Sequence, residues 1–464
     1  MISSGKHSLP KKDPFITFIY LFWGILIFLL LAWFSISLKD TWRNAQGFEY
    51  EWVAQSLANG FGYSFDAQHR WLFPELNSSS DTGHYPTAWV EPGYPLIMAG
   101  AFNLFGERAR LLLVLLQTSF WFITALVIAY LSAAIFNLWT GFLAGLLLVI
   151  TPATRIAAQG YLGNVMLAGL LASVSALLIL WSLEKVSSRR GMLLGLALGL
   201  ATLVHGALFL FLPASVVLIL LARDAPFRRR WRAVLALLIT TLVVISPWIA
   251  RNFVVFDRFV PLRNGYGFNT YIGNPPLVEL YRPPFQACPV PADKALQVAG
   301  PWAAVQATRQ IEIQRALYAR AYQCVQGTSG ASYALLDEAE RDQQYLKGTI
   351  NFILDQPVLW FEITIFKALL FLAGTPFRGI ISLLASLGVL LGMHNRKSNV
   401  LSLLVFVYMV PYSIALPFFY RYRYPVEPLI LVLASSTLIY VLMLVFRKSG
   451  LIPRPLLPQG GERE

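Results

Sequence analysis

Two long polar segments, Leu38–Arg110 and Arg251–Arg378, interrupt a chain otherwise built from apolar stretches. A spanning helix needs ~20 apolar residues to cross ~30 Å of hydrocarbon. Runs of that character recur at Phe15–Phe34, Leu111–Phe136, Gly141–Thr154, Val165–Trp181, Ala233–Ala250, Ile380–Met393, Val400–Phe418 and Leu429–Phe446. With 56% hydrophobic and 13% charged residues in 464, the chain holds more apolar surface than a soluble core conceals. Nearly all polar groups able to do chemistry sit in the two polar segments.

The net charge of +13 would suggest nucleic acid on a soluble protein. Here the cations gather at span ends: Lys6, Lys11 and Lys12; Lys185, Arg189 and Arg190; Arg223, Arg228, Arg229, Arg230 and Arg232; Arg396 and Lys397; Arg447 and Lys448. They set topology and meet anionic lipid. Placing all five clusters in the cytoplasm puts both polar segments on the other face. The apolar stretch between Arg190 and Arg223 then crosses twice, turning at His205–Gly206. Trp360–Ala373 fits a helix on the outer membrane surface, with Lys367 near the headgroups. The count is about ten spans with both termini inside. Phe15–Phe34 reads as a retained anchor, since it is too long for a secretion signal. Cys288 and Cys324 both fall in the second polar segment, where an oxidising compartment permits a disulfide.

In the first polar segment, Phe48–Leu57 has apolar residues at 48, 52, 53 and 57, the pattern of an interfacial helix. Asn59-Gly60 ends it. HYPTAWVEPGYPL, from His84 to Leu96, reads as an ordered segment against the membrane, and Met98–Phe105 as a second interfacial helix stopped by Gly106. The second segment opens with Ser246–Asn274 and later carries a polar helix over Leu335–Leu354.

The blocks PWIARNFVVFDRFVPLRNGYG…YIGN, FEYEWVAQSLANGFGYSF, PTAWVEPGYPLIMAGAFNLFG, DEAERDQQYLKGTINFILDQP and RYRYPVEP, in that chain-wide set, resemble bacterial members of glycosyltransferase family 39. These are polytopic enzymes related to protein O-mannosyltransferases and the lipid A aminoarabinose transferase. The resemblance implies a GT-C-type helix bundle, a sugar donor on polyprenyl phosphate, an acceptor (glycan, lipid or protein) reached from the extracytoplasmic face, and inversion at the anomeric carbon. It also implies an acid in the first outer segment as general base. Gln46 stands where a common form has aspartate, and the subgroup most similar to this chain carries the acid at Glu49. A carboxylate at the membrane surface is desolvated toward a useful basicity. Glu51 is second choice, on another helix face. Relatives also carry an acid at the outer start of the fourth span, where this chain has Gly163-Asn164. Asn164 is suited to a sugar hydroxyl, and Glu91 is a replacement acid.

The leaving phosphate calls for cations. Arg421 and Arg423 alternate with Tyr420, Tyr422 and Tyr424 before the last span, and Arg251 follows Pro247-Trp248 at the same level. Guanidinium binds phosphate oxygens in bidentate fashion, and Tyr422 suits a sugar. Headgroup binding or an Arg423–Glu427 pair is the competing role. His84 is a weaker substrate-binding candidate, and His205 more often a structural hydrogen bonder. No Asp-x-Asp pair marks a metal-bound nucleotide sugar and no Walker loop marks ATP use. No cofactor is required beyond the lipid-linked donor; a divalent metal is compatible but not needed.

The expectation is an all-α polytopic inner-membrane transferase. Residues 1–250 form the transmembrane module with the first loop (38–110), 251–378 the second extracytoplasmic loop, 379–450 the last spans and 451–464 a disordered tail. A transporter would place charges mid-span. A non-catalytic binder of lipid-linked sugar is the other alternative, raised by Gln46 and Asn164.

Overall fold

The computed structural model describes residues 45–66, 83–150, 162–281, 316–324, 337–373, 376–391, 395–416 and 422–448. The expected first span, Arg421, Cys288 and the C-terminal tail lie outside them.

The protein is an all-α polytopic membrane protein with one small sheet. Five helical stretches among the described residues are long and apolar enough to cross a bilayer: Gly93–Ile135, Val165–Glu184, Phe227–Phe256, Arg396–Ala415 and Glu427–Val445. A sixth arises if Glu338–Asp355 and Pro357–Ala373, bent by 110° at their junction, are one broken span. Leu138–Ile150, Gly206–Leu220 and Arg378–Leu390 are apolar but shorter.

Helix α1 (Phe48–Ala58) begins with Glu49 and Glu51 in its first turn, where carboxylates complement the helix dipole. Strands β1 (Ser64–Asp66) and β2 (His84–Pro86) pair antiparallel with Phe65 opposite Tyr85. Helix α2 (Gly93–Phe105) starts earlier than the apolar pattern suggests. Gly106 does not end the apolar run: a single 3-10 turn, Gly106–Arg108, leads into α3 (Ala109–Ile135). Helices α4 (Leu138–Ile150), α5 (Val165–Glu184) and α6 (Ser188–Val204) follow. Helix α6 stops at His205, and a 3-10 stretch, Gly206–Leu210, leads into α7 (Phe211–Leu220). The break therefore sits at the dipeptide singled out in the sequence.

Helix α8 (Phe227–Phe256) has 30 residues. It continues past Arg251, where the polar segment starts, because its last polar side chains are paired. Arg251 reaches sheet carbonyls and Asn252 donates to Val260 O at 3.1 Å. Along α6, Gly191, Gly195 and Gly199 face α8 so closely that a Cβ would lie 2.3 Å from Ala233 O, 2.5 Å from Leu237 O and 2.7 Å from Val244 Cβ. Small residues every fourth position let two membrane helices touch backbone to backbone.

The second polar segment contributes α9 (Tyr266–Ile272), α10 (Pro275–Tyr281), a helical stretch over 316–324, α11 (Glu338–Asp355) and α12 (Pro357–Ala373). Asp337 and Glu340 close a capping box on α11. Cys324 is disulfide-bonded, which suits an oxidising compartment. Lys367 does not reach out from the protein surface. It is buried, and its Nζ donates to Gly273 O at 2.8 Å, Ile414 O at 3.1 Å and Asn274 Oδ1 at 3.3 Å. All three ammonium hydrogens find oxygen, which is what a buried lysine requires.

Helices α13 (Pro376–Leu391), α14 (Arg396–Ala415) and α15 (Glu427–Lys448) complete the bundle. Arg423 is fully buried before α15 and pairs with Glu427. Its Nη1 also donates to Phe371 O (2.9 Å), Leu372 O (2.6 Å) and Ser382 Oγ (2.8 Å). One guanidinium thus ties α15 to the end of α12 and to α13. Arg423→Met is expected to cost about 3–5 kcal/mol, because it strands a buried carboxylate. Adding Glu427→Leu should restore more than half of that loss. Unfolding of the purified variants in detergent measures both; equal loss in the single and double variants would show that the ion pair is not the cause.

Candidate active site

The bundle and the two polar segments line a cavity of about 330 Å³. Four parts of the chain build its polar wall. Helix α1 supplies Glu49 and Tyr50, the stretch after β2 supplies Trp89 and Glu91, the start of α5 and the α6 break supply Asn164, His205 and Gly206, and the segment entering α9 supplies Arg263 and Tyr266. Tyr412 of α14 and Tyr422 close it from the C-terminal side.

Glu91 is the most constrained of these. Its carboxylate is buried. Oε1 accepts the Gly206 N–H at 2.8 Å. That approach needs glycine: a Cβ at 206 would fall 2.9 Å from Oε1 and 2.4 Å from the Tyr266 hydroxyl. Oε2 has no hydrogen-bond partner among the described residues and lies 3.6 Å from Arg263 Nη1. Burial pulls the Arg263 guanidinium down, but Glu91 and then the phenols of Tyr50, Tyr266 and Tyr422 outweigh it and hold the group above its ordinary value. Arg263 is therefore a permanent cation in the cavity wall. It was not singled out in the sequence, although it stands in the Leu262-Arg263-Asn264-Gly265 run of the block that carries the resemblance.

Glu49 also lines the cavity, and no hydrogen bond to its carboxylate occurs among the described residues. Glu51, two residues on, is tied down: Oε2 accepts Gly47 N–H at 2.8 Å and Oε1 meets Arg110 Nη2 at 2.6 Å. The two carboxylates of one helix turn thus differ in kind, one structural and one open to the cavity. Gln46 O accepts Leu162 N–H at 2.9 Å, so the stretch before α1 lies beside the start of α5. Asn164 is buried there and donates Nδ2 hydrogens to Val204 O (2.7 Å) and His205 Nδ1 (3.0 Å).

Of the cations expected at the phosphate, Arg251 and Arg423 lie elsewhere. Arg251 donates to Thr87 O at 2.7 Å and Tyr63 O at 2.8 Å, and its guanidinium sits 5.0 Å from the Trp248 ring centre. It anchors the stretch that leads to Glu91 but does not line the cavity. Arg423 faces Glu427, away from the cavity, while Tyr422 beside it faces in. His84 stacks on Phe61 at 3.8 Å in β2 and is not a cavity residue. Among the described residues no group of three or more His, Cys, Asp or Glu side chains could hold a metal ion.

A second carboxylate organises the outer layer. Glu338 at the start of α11 accepts Thr87 Oγ1 (2.6 Å), Ala88 N (3.0 Å) and Asn264 Nδ2 (2.9 Å). It joins the residues preceding Trp89 and Glu91 to the neighbour of Arg263. Burial raises its carboxyl above the ordinary 4.5, against those three hydrogen bonds.

No protein-family model and no curated protein matches the sequence. Among solved structures, the apo oligosaccharyltransferase of Archaeoglobus fulgidus matches with a TM-score of 0.50 at 12% identity, over 93% of this chain and 52% of that one. ArnT from Cupriavidus metallidurans bound to undecaprenyl phosphate aligns over 94% of this chain and 81% of that one, at 16% identity and a TM-score of 0.36. The chain spans about half the length of the oligosaccharyltransferase. At such identities the likeness is one of fold: the chain shares its architecture with the archaeal oligosaccharyltransferase.

The raised Glu338 carboxyl has a stability consequence. A carboxyl raised on folding binds its proton more tightly in the native state, so stability falls as pH rises from the ordinary 4.5 through the folded value. Glu338→Gln keeps oxygen toward Ala88 and Asn264 and removes the charge. Its unfolding midpoint in detergent should therefore vary less with pH than the wild-type midpoint over that window. Identical slopes would show that Glu338 does not titrate there.

Proposed function

We propose that this protein is a membrane glycosyltransferase of the family 39 kind, moving a sugar from polyprenyl phosphate to an acceptor hydroxyl on the extracytoplasmic face. One observation carries the reading. An open carboxylate, a paired carboxylate and a lone guanidinium share one aromatic-walled cavity where the bundle meets its outer segments. The ordered sequence resemblance and the shared GT-C architecture favour the same reaction class. Cys324, disulfide-bonded on the helical stretch that also gives Tyr318 to the cavity wall, favours an oxidising side for the site.

The roles follow from the contacts. Glu49 takes the proton of the acceptor hydroxyl as that oxygen attacks the anomeric carbon. The carbon–phosphate oxygen bond breaks on the opposite face, which inverts configuration. Arg263 receives the charge that grows on the phosphate, as a donor already fixed in a dry site. Glu91 faces Arg263 Nη1, and Asn264 O accepts the Arg263 Nε–H at 3.1 Å, which leaves Nη2 for phosphate. Trp89, Tyr50 and Tyr266 supply ring faces and hydroxyls suited to a sugar. The cavity residues Glu49, Glu91 and Arg263 sum to −1, so a doubly charged phosphate is disfavoured and a phosphodiester with a single charge is the better guest.

Glu49→Gln should lower transfer by about 10²–10⁴-fold, the usual contribution of a general base, with donor binding retained. Arg263→Met should weaken polyprenyl phosphate binding by roughly 10- to 100-fold, as for a lost charge-assisted hydrogen bond. The assay is release of polyprenyl phosphate from lipid-linked sugars extracted from native membranes, with binding followed by native mass spectrometry. Unchanged transfer in Glu49→Gln removes that residue from catalysis. Full binding with no turnover by the wild type would identify a lipid-linked-sugar binder instead. The sugar and the acceptor are identified by comparing lipid-linked sugars and surface glycans with and without the gene.

A further inference from the structure

We infer that Asn164 locks His205 as a neutral imidazole protonated on Nε2, and that this ring turns the Tyr412 hydroxyl into the cavity as a donor to the bound sugar. The second half rests on the transferase reading; the first half stands on geometry alone.

The argument begins at the Asn164 amide. Only its NH₂ group can face the Val204 carbonyl at 2.7 Å, so the orientation of the amide is set. The second hydrogen of the same nitrogen then points at His205 Nδ1, 3.0 Å away. Nδ1 must answer with a lone pair. A ring protonated on both nitrogens would set N–H against N–H in a buried place. The one ring proton is therefore on Nε2.

From Nε2 the polarity runs outward. Tyr412 Oη lies 2.9 Å away and Tyr408 Oη 3.0 Å. Tyr408 is buried and donates its own hydrogen to Tyr422 O at 3.0 Å. Tyr412, stacked on Tyr408 with 4.7 Å between ring centres, lines the cavity. Tyr408 shares its hydrogen with the Tyr412 oxygen as well, so Tyr412 accepts from both His205 and Tyr408 and has its own hydrogen to offer. Among the described residues, Asn164 before α5 and the two phenols from α14 hydrogen-bond the ring. Glu91 is a charge close by, since it binds the N–H of the adjacent Gly206. Asn164 thus has the opposite hydrogen-bond sense to the acid that the resemblance places at this position. An aspartate would accept a proton from Nδ1 and favour a cationic ring. His205 and Asn164 are positioning residues here, and Tyr412 is the group that meets substrate.

The test has two arms. The chain has five histidines, so selective ¹⁵N labelling gives a readable spectrum. The His205 signals are assigned by their loss in His205→Gln, or by their shift in Asn164→Asp where the first variant does not fold. Wild type should show an unprotonated Nδ1 and a protonated Nε2 throughout the range of about pH 5 to 8 where histidines ordinarily titrate. Asn164→Asp should show both nitrogens protonated at the acid end. A doubly protonated wild-type ring, or a proton on Nδ1, overturns the assignment.

The second arm compares lipid-linked sugars extracted from native membranes with sugar-free polyprenyl phosphate. Tyr412→Phe should weaken the first by about 3- to 10-fold, the range of one neutral hydrogen bond, and leave the second unchanged. Equal weakening of both, or of neither, overturns the sugar-reading role. Wild-type binding to neither lipid overturns the transferase reading and that role with it, while the ring measurement still decides the state of His205.

Discussion

The arrangement of the cavity depends on one buried carboxylate. Glu91 joins three pieces of chain that are far apart in sequence: the stretch after β2, the break between α6 and α7, and the approach to α9. Where α6 ends and the 3-10 stretch begins, backbone groups lose their helical partners. Glu91 answers the Gly206 N–H, and Asn164 answers the Val204 carbonyl on the other side of His205. The break is thereby stabilised by side chains that also form the cavity wall. Its apolar counterpart would be an unbroken helix, which would close the space. The chemistry and the irregular backbone are consequences of each other.

The same logic explains why the charged residues divide as they do. Arg251, Arg423 and Lys367 each satisfy backbone carbonyls at junctions between elements. A cation used this way is fully engaged and offers little to a ligand. Arg263 is less engaged: Nε donates to Asn264 O and Glu91 stands 3.6 Å from Nη1, while no acceptor of Nη2 occurs among the described residues. Among the acids, Glu51 and Glu338 are committed to arginine and to three donors respectively, whereas Glu49 is not. Engagement, more than residue type, separates the structural ions from the reactive ones.

Much of this was legible in the sequence. Asn59-Gly60 marked the end of α1, His205-Gly206 marked the break, and a polar helix was expected over Leu335–Leu354, where α11 lies. Glu49, Glu91, Asn164 and Tyr422 were all singled out, and all line one cavity. Local patterns carry such features because caps and breaks are decided within a few residues. The cavity cation was not legible in this way. For Arg423 the sequence offered both a phosphate contact and an i,i+4 pair with Glu427, and the structure has the pair. Arg263 lies in an unremarkable loop and acquires meaning only when Glu91, 172 positions earlier, is brought beside it. The Gly191-x₃-Gly195-x₃-Gly199 stripe was visible as spacing, and its use became clear only once α8 lay against it.

Helix length failed for a related reason. Apolar content ends α8 near Ala250, yet the helix continues to Phe256. Hydropathy reports where lipid ends, not where hydrogen-bonded helix ends. Arg251 and Asn252 extend the helix above the apolar run because sheet and loop carbonyls stand ready to receive them. That extra turn places the Asp257–Leu262 turn over the bundle and delivers Arg263 to Glu91. A helix ending at the hydrocarbon boundary would start the loop lower and carry the cation away from the carboxylate. The C-terminal end of α8, polar and easily dismissed as loop, therefore sets where Arg263 stands, the one positive charge of the cavity among the described residues.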